Sequence, residues 1–184
     1  MKFIQSIKER LGIRFLHREP EPNRERRGYN FNSATRIGVL YLDSDESFYN
    51  QIRFYARQLK ERFDVKSVIC LGYVNEGKKK FPSYQVQKLE LNYFAKEDLN
   101  WHLKPLQNVE SFLREDFDIL LDLSGGNSVP LNYVLKESKA RMKVGLRGTK
   151  GERYYDFLLN MGTNATTEQM MEQLNMYLSN PKIK

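Results

Sequence analysis

Apolar positions along the chain alternate between a strand period and a helix period. Arg36-Ile37-Gly38-Val39-Leu40-Tyr41-Leu42 is a short apolar run ending at Asp43, which predicts a first strand. Phe48, Ile52, Tyr55, Ala56, Leu59 and Phe63 then recur at helical spacing, with Asp43, Ser44 and Asp45 ahead of them as cap candidates. Ser67 to Tyr73 supplies a second strand, parallel to the first by right-handed crossover. From 85 to 94, Leu89, Leu91 and Tyr93 alternate with Lys88, Glu90 and Asn92, the pattern of a strand near a sheet edge. A short helix carrying Val109, Phe112 and Leu113 precedes a mostly apolar strand from Phe117 to Leu123.

The stretch after that strand organises the rest. Gly125 and Gly126 break the run, Asn127 or Ser128 caps a helix, and Pro130 fits its first turn, where a missing N–H costs nothing. Leu131, Val134 and Leu135 give that helix its inner face. Met142 to Leu146 and Tyr154 to Leu159 complete the strands, and Thr166 with Gln169 forms a capping box for a last helix striped by Met170, Met171, Leu174, Tyr177 and Leu178. Strands alternating with helices predict an α/β, Rossmann-like fold: a mainly parallel sheet of about six strands with helices on both faces, plus an N-terminal basic helix. If strand order reverses between the first strand and strand 117–123, their carboxyl ends flank a crevice lined by Asp43, Ser44, Asp45, Asp122, Ser124, Gly125, Gly126 and Asn127. Such a junction presents backbone donors to an anion, although an ordinary strand-to-helix connection is written in the same letters.

Ahead of this domain, residues 2 to 16 place Phe3, Ile4, Ile7, Leu11 and Phe15 on one helical stripe among Lys2, Lys8, Arg10 and Arg14, interrupted by Gly12. A basic amphipathic helix of this kind suits docking on its own domain or a second subunit, more than resting on an anionic membrane surface or holding a partner. Residues 17 to 33 read as an exposed linker with two prolines and Arg24, Arg26 and Arg27. The expected division is therefore 1–35, basic helix and linker, and 36–184, the α/β domain.

Charge sharpens this picture. The net charge is +7, and residues 1 to 36 hold nine basic and four acidic side chains, so most of the excess sits there. Nucleic-acid binding through Arg24, Arg26 and Arg27, with Lys78, Lys79 and Lys80, is one reading of that excess; a solvated linker and a loop tip is the plainer one. Hydrophobic residues make up 40% of the chain, enough for a sizeable core. No apolar stretch approaches the ~20 residues that cross a bilayer. The amino terminus lacks a continuous apolar region of signal-peptide length, and the single cysteine, Cys70, makes no internal disulfide; both favour a cytoplasmic location. The sequon Asn164-Ala165-Thr166 then has no consequence.

Several chemistries lack material. No G-x-G-x-x-G follows a strand, and Gly145 to Gly151 lacks Walker spacing. Two histidines and one cysteine leave no expected metal site and no nucleophilic triad, and no cofactor is expected. Asp43-Ser44-Asp45 after a strand looks like a haloacid-dehalogenase nucleophile loop, yet the strand ending at Leu159 leads into Asn160-Met161-Gly162-Thr163 without the acidic pair for magnesium.

Tyr93-Phe94-Ala95-Lys96-Glu97-Asp98-Leu99-Asn100-Trp101, the run 117–123, Pro130-Leu131, Ala140 to Gly145 and Tyr155-Asp156 resemble a family of uncharacterised bacterial proteins over roughly residues 36 to 160. More distantly, 117–123 with 140–145 is similar to the amino-terminal, acceptor-side half of heptosyltransferase-type (GT-B) glycosyltransferases. Those enzymes use a second Rossmann-like half for the sugar nucleotide, and the residues after 159 are too few for one. The resemblance implies the sheet rather than a complete catalytic apparatus. The leading expectation is a non-catalytic domain that binds a small polar ligand or a protein partner in the crevice, with no transmembrane segment and with association through the first helix open. A glycosyltransferase-like or phosphoryl-handling enzyme using Asp43 and Asp122 is the alternative, and nucleic-acid binding the third.

Overall fold

The structure, a computed structural model, describes residues 2–77, 82–85, 90–162 and 165–180, with backbone alone for 2–5. In chain order the elements are α1 (Lys2–Arg18), β1 (Arg36–Asp43), α2 (Glu46–Phe63), β2 (Ser67–Val74), β3 (Leu91–Ala95), α3 (Glu110–Leu113), β4 (Ile119–Asp122), α4 (Val129–Glu137), β5 (Met142–Leu146), β6 (Phe157–Leu159) and α5 (Thr167–Leu178). The strands form one sheet in the order β3-β2-β1-β4-β5-β6. Every pairing is parallel. This is a Rossmann-like α/β fold, and β1 with β4 marks the point at which the order reverses.

Alternation along each strand separates two cores. Val39, Tyr41, Cys70, Leu121 and Val144 face α2 and α5, whose Ile52, Tyr55, Leu59, Leu174 and Leu178 meet them. Leu40, Leu71, Leu120 and Phe117 face the other way, against Phe112, Leu131, Val134 and Leu135. Burial holds the Cys70 thiol up at about 12, so it is an inert core group. Asp45 caps α2 by accepting from the Phe48 N–H at 2.9 Å, and Thr166 with Gln169 forms the expected box on α5.

Three expectations change. The last strand is shorter than 154–159, because Glu152–Tyr154 winds into a 3₁₀ turn that buries Tyr154. The third strand lies at the sheet edge as expected, and its described pairing begins at Leu91; Lys88 and Leu89 fall outside the described residues. Tyr177, placed on the inner stripe of α5, is 47% exposed.

The first helix departs most. It packs on α4 through Gly12, Ile13 and Leu16, and not through the Ile7-Leu11-Phe15 stripe. Gly12 marks the closest approach: a Cβ there would come within 2.6 Å of the His102 carbonyl oxygen and 2.9 Å of Val129 Cγ1. Tyr133 Oη donates to the Gly12 carbonyl at 3.0 Å, and the Lys136 ammonium donates to the Leu16 and Glu19 carbonyls at the helix end. A cation on those orphan carbonyls is what a helix carboxyl terminus favours.

Residues 19–34 are largely exposed, as expected of a linker, but they are pinned to the domain. They run as a strap along the amino-terminal edge of the sheet. The Arg24 side chain, 5% exposed, donates to the Ala140 and Arg141 carbonyls at 3.0 and 3.2 Å and pairs with Asp156 at 2.7 Å. Phe31 is fully buried and its N–H donates to the Leu178 carbonyl. The guanidinium is consumed by the fold because its several donors match the carbonyls just ahead of β5.

Candidate functional site

The expected crevice exists as topology, since β1 and β4 pair directly and the Leu123 N–H donates to the Leu40 carbonyl at 2.8 Å. Its expected lining divides into three groups. Asp122 does not face the crevice: it is fully buried, accepting from Tyr155 Oη at 2.5 Å and from the Ser124 N–H at 2.8 Å. Burial pushes its carboxyl above the ordinary range, against the hydrogen bonds from Ser124 and Tyr155. The Tyr155 hydroxyl in turn lies near Gly126, and Asn132 Nδ2 donates to the Gly126 carbonyl at 3.1 Å. The side chain after the strand thus fastens the glycine turn from below.

Asp43 belongs to the opposite core. Its Oδ2 accepts from Tyr84 Oη at 2.8 Å, and burial raises its pKa despite that bond. Ser44 and Asp45 are exposed at the start of α2, bonded to each other and to the helix. Asp43 and Asp122 therefore address different surroundings and share no partner.

The third group forms the pocket. Gly125 and Gly126 take φ of +73° and +67°, a left-handed turn that side chains rarely adopt, and bring the chain to the head of α4. Asn127 and Ser128 line a cavity of about 190 Å³ together with Leu42, Tyr73, Asn75, Val129, Pro130, Leu103 and Glu9. Ser128 occupies the N-cap of α4 in extended backbone geometry but makes no capping bond. The residue is 9% exposed, and its Oγ has no partner. Tyr73 Oη donates to Asn75 Oδ1 at 3.2 Å; burial and then Glu97 push its pKa up to about 12, so the phenol stays neutral. The cavity combines neutral hydrogen-bonding groups, an uncapped helix start with positive dipole character, and the Glu9 carboxylate.

Of these residues the strand-and-turn pattern pointed to Asn127 and, as a cap, Ser128. Tyr73 and Asn75 come from the end of β2, outside the pair formed by β1 and β4, while Glu9 and Leu103 arrive through the docking of α1 and of the loop after β3. No helical periodicity signals that Glu9 turns inward. Of the remaining basic positions, Arg24 is taken up inside the strap, while Arg26, 3.7 Å from Asp156, and Arg27, over the Tyr29 ring, stay exposed. Lys78, Lys79 and Lys80 lie outside the described residues. Among the described residues, no group of three or more His, Cys, Asp or Glu side chains could hold a metal, and no helix is long and apolar enough to cross a membrane.

Residues 6–180 match the family of unknown function DUF6913. The chain belongs to that family. No curated protein matches it. Among solved structures, it is similar to Escherichia coli heptosyltransferase WaaC with ADP, at 14% identity and a TM-score of 0.48, over 81% of this chain and 49% of that one. It is also similar to the same enzyme with ADP-2-deoxy-2-fluoro heptose, at 12% identity and a TM-score of 0.48, over 81% and 50% of the two chains. This member of the family thus spans about half the length of those enzymes.

Proposed function

We propose that the chain is a non-catalytic α/β domain that holds a small polar acid in the pocket at the head of α4. The observation carrying this reading is Ser128: a buried hydroxyl without a partner, at a helix start that no side chain caps, on the wall of a cavity. A carboxylate or comparable anion placed there gains the helix-start field and the hydroxyl together. The Tyr73 hydroxyl and the Asn75 and Asn127 amides on the same wall suit a ligand that carries a hydroxyl or amino group beside its acid, as hydroxy and amino acids do. About 190 Å³ lies below the ~300 Å³ at which drug-sized pockets begin, which argues against a nucleotide.

The enzyme alternative is less favoured, because Asp43 and Asp122 do not face a common space in which one substrate could meet both. Calorimetric titration of the full chain with a panel of hydroxy acids, amino acids and inorganic phosphate tests the proposal. At least one small acid binds, and Ser128→Ala weakens it roughly tenfold, the worth of one charge-assisted hydrogen bond. Binding unchanged in Ser128→Ala and in the pocket-filling Leu42→Trp refutes the site. Turnover of a sugar nucleotide or phosphoester that is abolished by Asp43→Asn establishes the alternative instead.

A further inference from the structure

The first helix carries two apolar surfaces, one buried and the other only partly covered. Gly12, Ile13 and Leu16 face the domain. On the opposite side Ile7 is 42% exposed, while Leu11 and Phe15 are half-buried one and two turns further on. The Phe15 ring meets the edge of Trp101 at a centroid distance of 5.3 Å, and Trp101, the single tryptophan of the chain, is 58% exposed. Docking of α1 therefore extends the apolar row sideways onto the loop after β3.

Cations frame this row. Lys8, Arg10, Arg14 and Arg18 are all exposed, and among the described residues none of them forms a salt bridge. Glu9, the acidic residue within α1, lines the pocket on the other side and leaves the outer face uniformly positive.

We infer that this face of α1, with Trp101, is a docking surface for an anionic lipid bilayer, on which the helix lies flat. Lysine and arginine reach to phosphates while their stems cover apolar surface, and an indole settles at the headgroup level. Each exposed cation near such a surface strengthens binding, and an apolar row between cations is the interfacial arrangement. Charge complementarity selects the anionic surface over a neutral one. The inference is independent of what fills the pocket.

Co-sedimentation of the full chain with phosphatidylcholine vesicles, with and without a minority of phosphatidylglycerol, tests it. The chain pellets with the anionic vesicles alone, Trp101 emission moves to shorter wavelength on binding, and added salt releases the protein. Arg10→Gln with Arg14→Gln lowers partitioning roughly 30-fold. Both positions are exposed, and an unchanged thermal melt confirms that the variant is folded. The inference is overturned by no pelleting with anionic vesicles, by pelleting without any change in Trp101 emission, or by binding to an acidic polypeptide or to duplex DNA but not to vesicles. A dimer that Ile7→Asp dissociates, without vesicle binding, assigns the face to a second copy and equally overturns it.

Discussion

Asp118 and Ser128 stand at opposite ends of β4, one just before the strand and the other just beyond the turn that follows it, and their surroundings differ in kind. Asp118 Oδ2 accepts from the Thr35 N–H and hydroxyl at 2.8 and 2.9 Å and from the Arg36 N–H at 3.1 Å, while Oδ1 accepts from Arg141 at 3.2 Å. With Arg24 and Asp156 nearby, the amino-terminal edge is a closed polar seam that fastens the strap to the strand starts. At the carboxyl-terminal edge the Ser128 hydroxyl is buried without a partner beside a cavity. A fold stabilises itself by satisfying buried polar groups, so one left open on the wall of a cavity is where a ligand gains most. The contrast separates residues whose loss unfolds the chain from residues whose loss empties a site.

The largest effect falls on the turn between the two edges. Gly126→Val forces a β-branched residue into φ +67° and drives its Cβ into the Thr149 side chain, so a cost of about 3 kcal/mol or more is expected. Gly125→Ala is the control. Its φ is +73°, but nothing lies within 4 Å of the added carbon, and the expected cost is about 1 kcal/mol. Denaturant titrations that give equal losses would show that the turn is not fastened by Thr149 and Tyr155, and that the pocket wall is softer than described.

Second in size is Asp118→Asn. Burial raises the carboxyl pKa, but the bonds from Thr35 and Arg36 and the Arg141 charge outweigh it, and the net shift is downward. The unfolded group titrates near 3.9, so its stabilising contribution is whole above about pH 4 and is lost as pH falls through the lower folded value. The variant should lose about 2 kcal/mol at neutral pH, and thermal melts of the two proteins should converge in acid. A gap that stays constant with pH would remove Asp118 from the seam.

This seam also shows where the sequence could be read and where it could not. Sheet and helices follow from apolar periods, because those record which face of each element is buried, and the Thr166 box follows from its cap letters; the reversal between 36–42 and 117–123 is only a condition of the crevice at that level, and the strand pairing meets it. The strap is not legible in the sequence because Arg24 is charged and its neighbours are polar; only the carbonyls at Ala140 and Arg141, distant in sequence, show that the guanidinium is needed inside. The docked face of the first helix is hidden for the converse reason. Its conspicuous stripe is the partly covered side, and Gly12, an interruption in the sequence pattern, is the point of contact. Asp122 followed the letter pattern of a site residue, but Tyr155, some thirty positions on, claims it. Pairings that span the chain leave no local period.

Third comes Lys143, the buried cation behind the seam. It is 3% exposed and donates to the Lys136 carbonyl at 3.1 Å, and burial followed by the Arg24 charge pushes its ammonium down to about 7. An unfolded lysine titrates near 10.4. Between those values the unfolded chain binds more protons, so stability rises with pH across the window. Lys143→Met should gain about 1 kcal/mol near pH 7 and flatten this slope. Melts recorded from pH 7 to about 10 decide it; a variant that keeps the full wild-type slope would place the titrating group elsewhere.

The smallest effect is the sharpest test of the contrast between the edges, because it predicts near-silence where a rule predicts a loss. Replacing a serine or threonine N-cap by alanine ordinarily costs about 1 kcal/mol, the worth of the hydrogen bond from the cap to the first turn. Thr166 makes that bond, accepting from the Gln169 N–H at 3.2 Å, and Thr166→Ala should lose the usual amount. Ser128 holds the same position on α4 without making it, so Ser128→Ala should move stability by less than about 0.5 kcal/mol, since it removes no native contact. Denaturant titration of the two variants side by side reads the difference. Equal losses would mean that the Ser128 hydroxyl caps α4 in solution, and the open group on which the pocket depends would be closed by the protein itself.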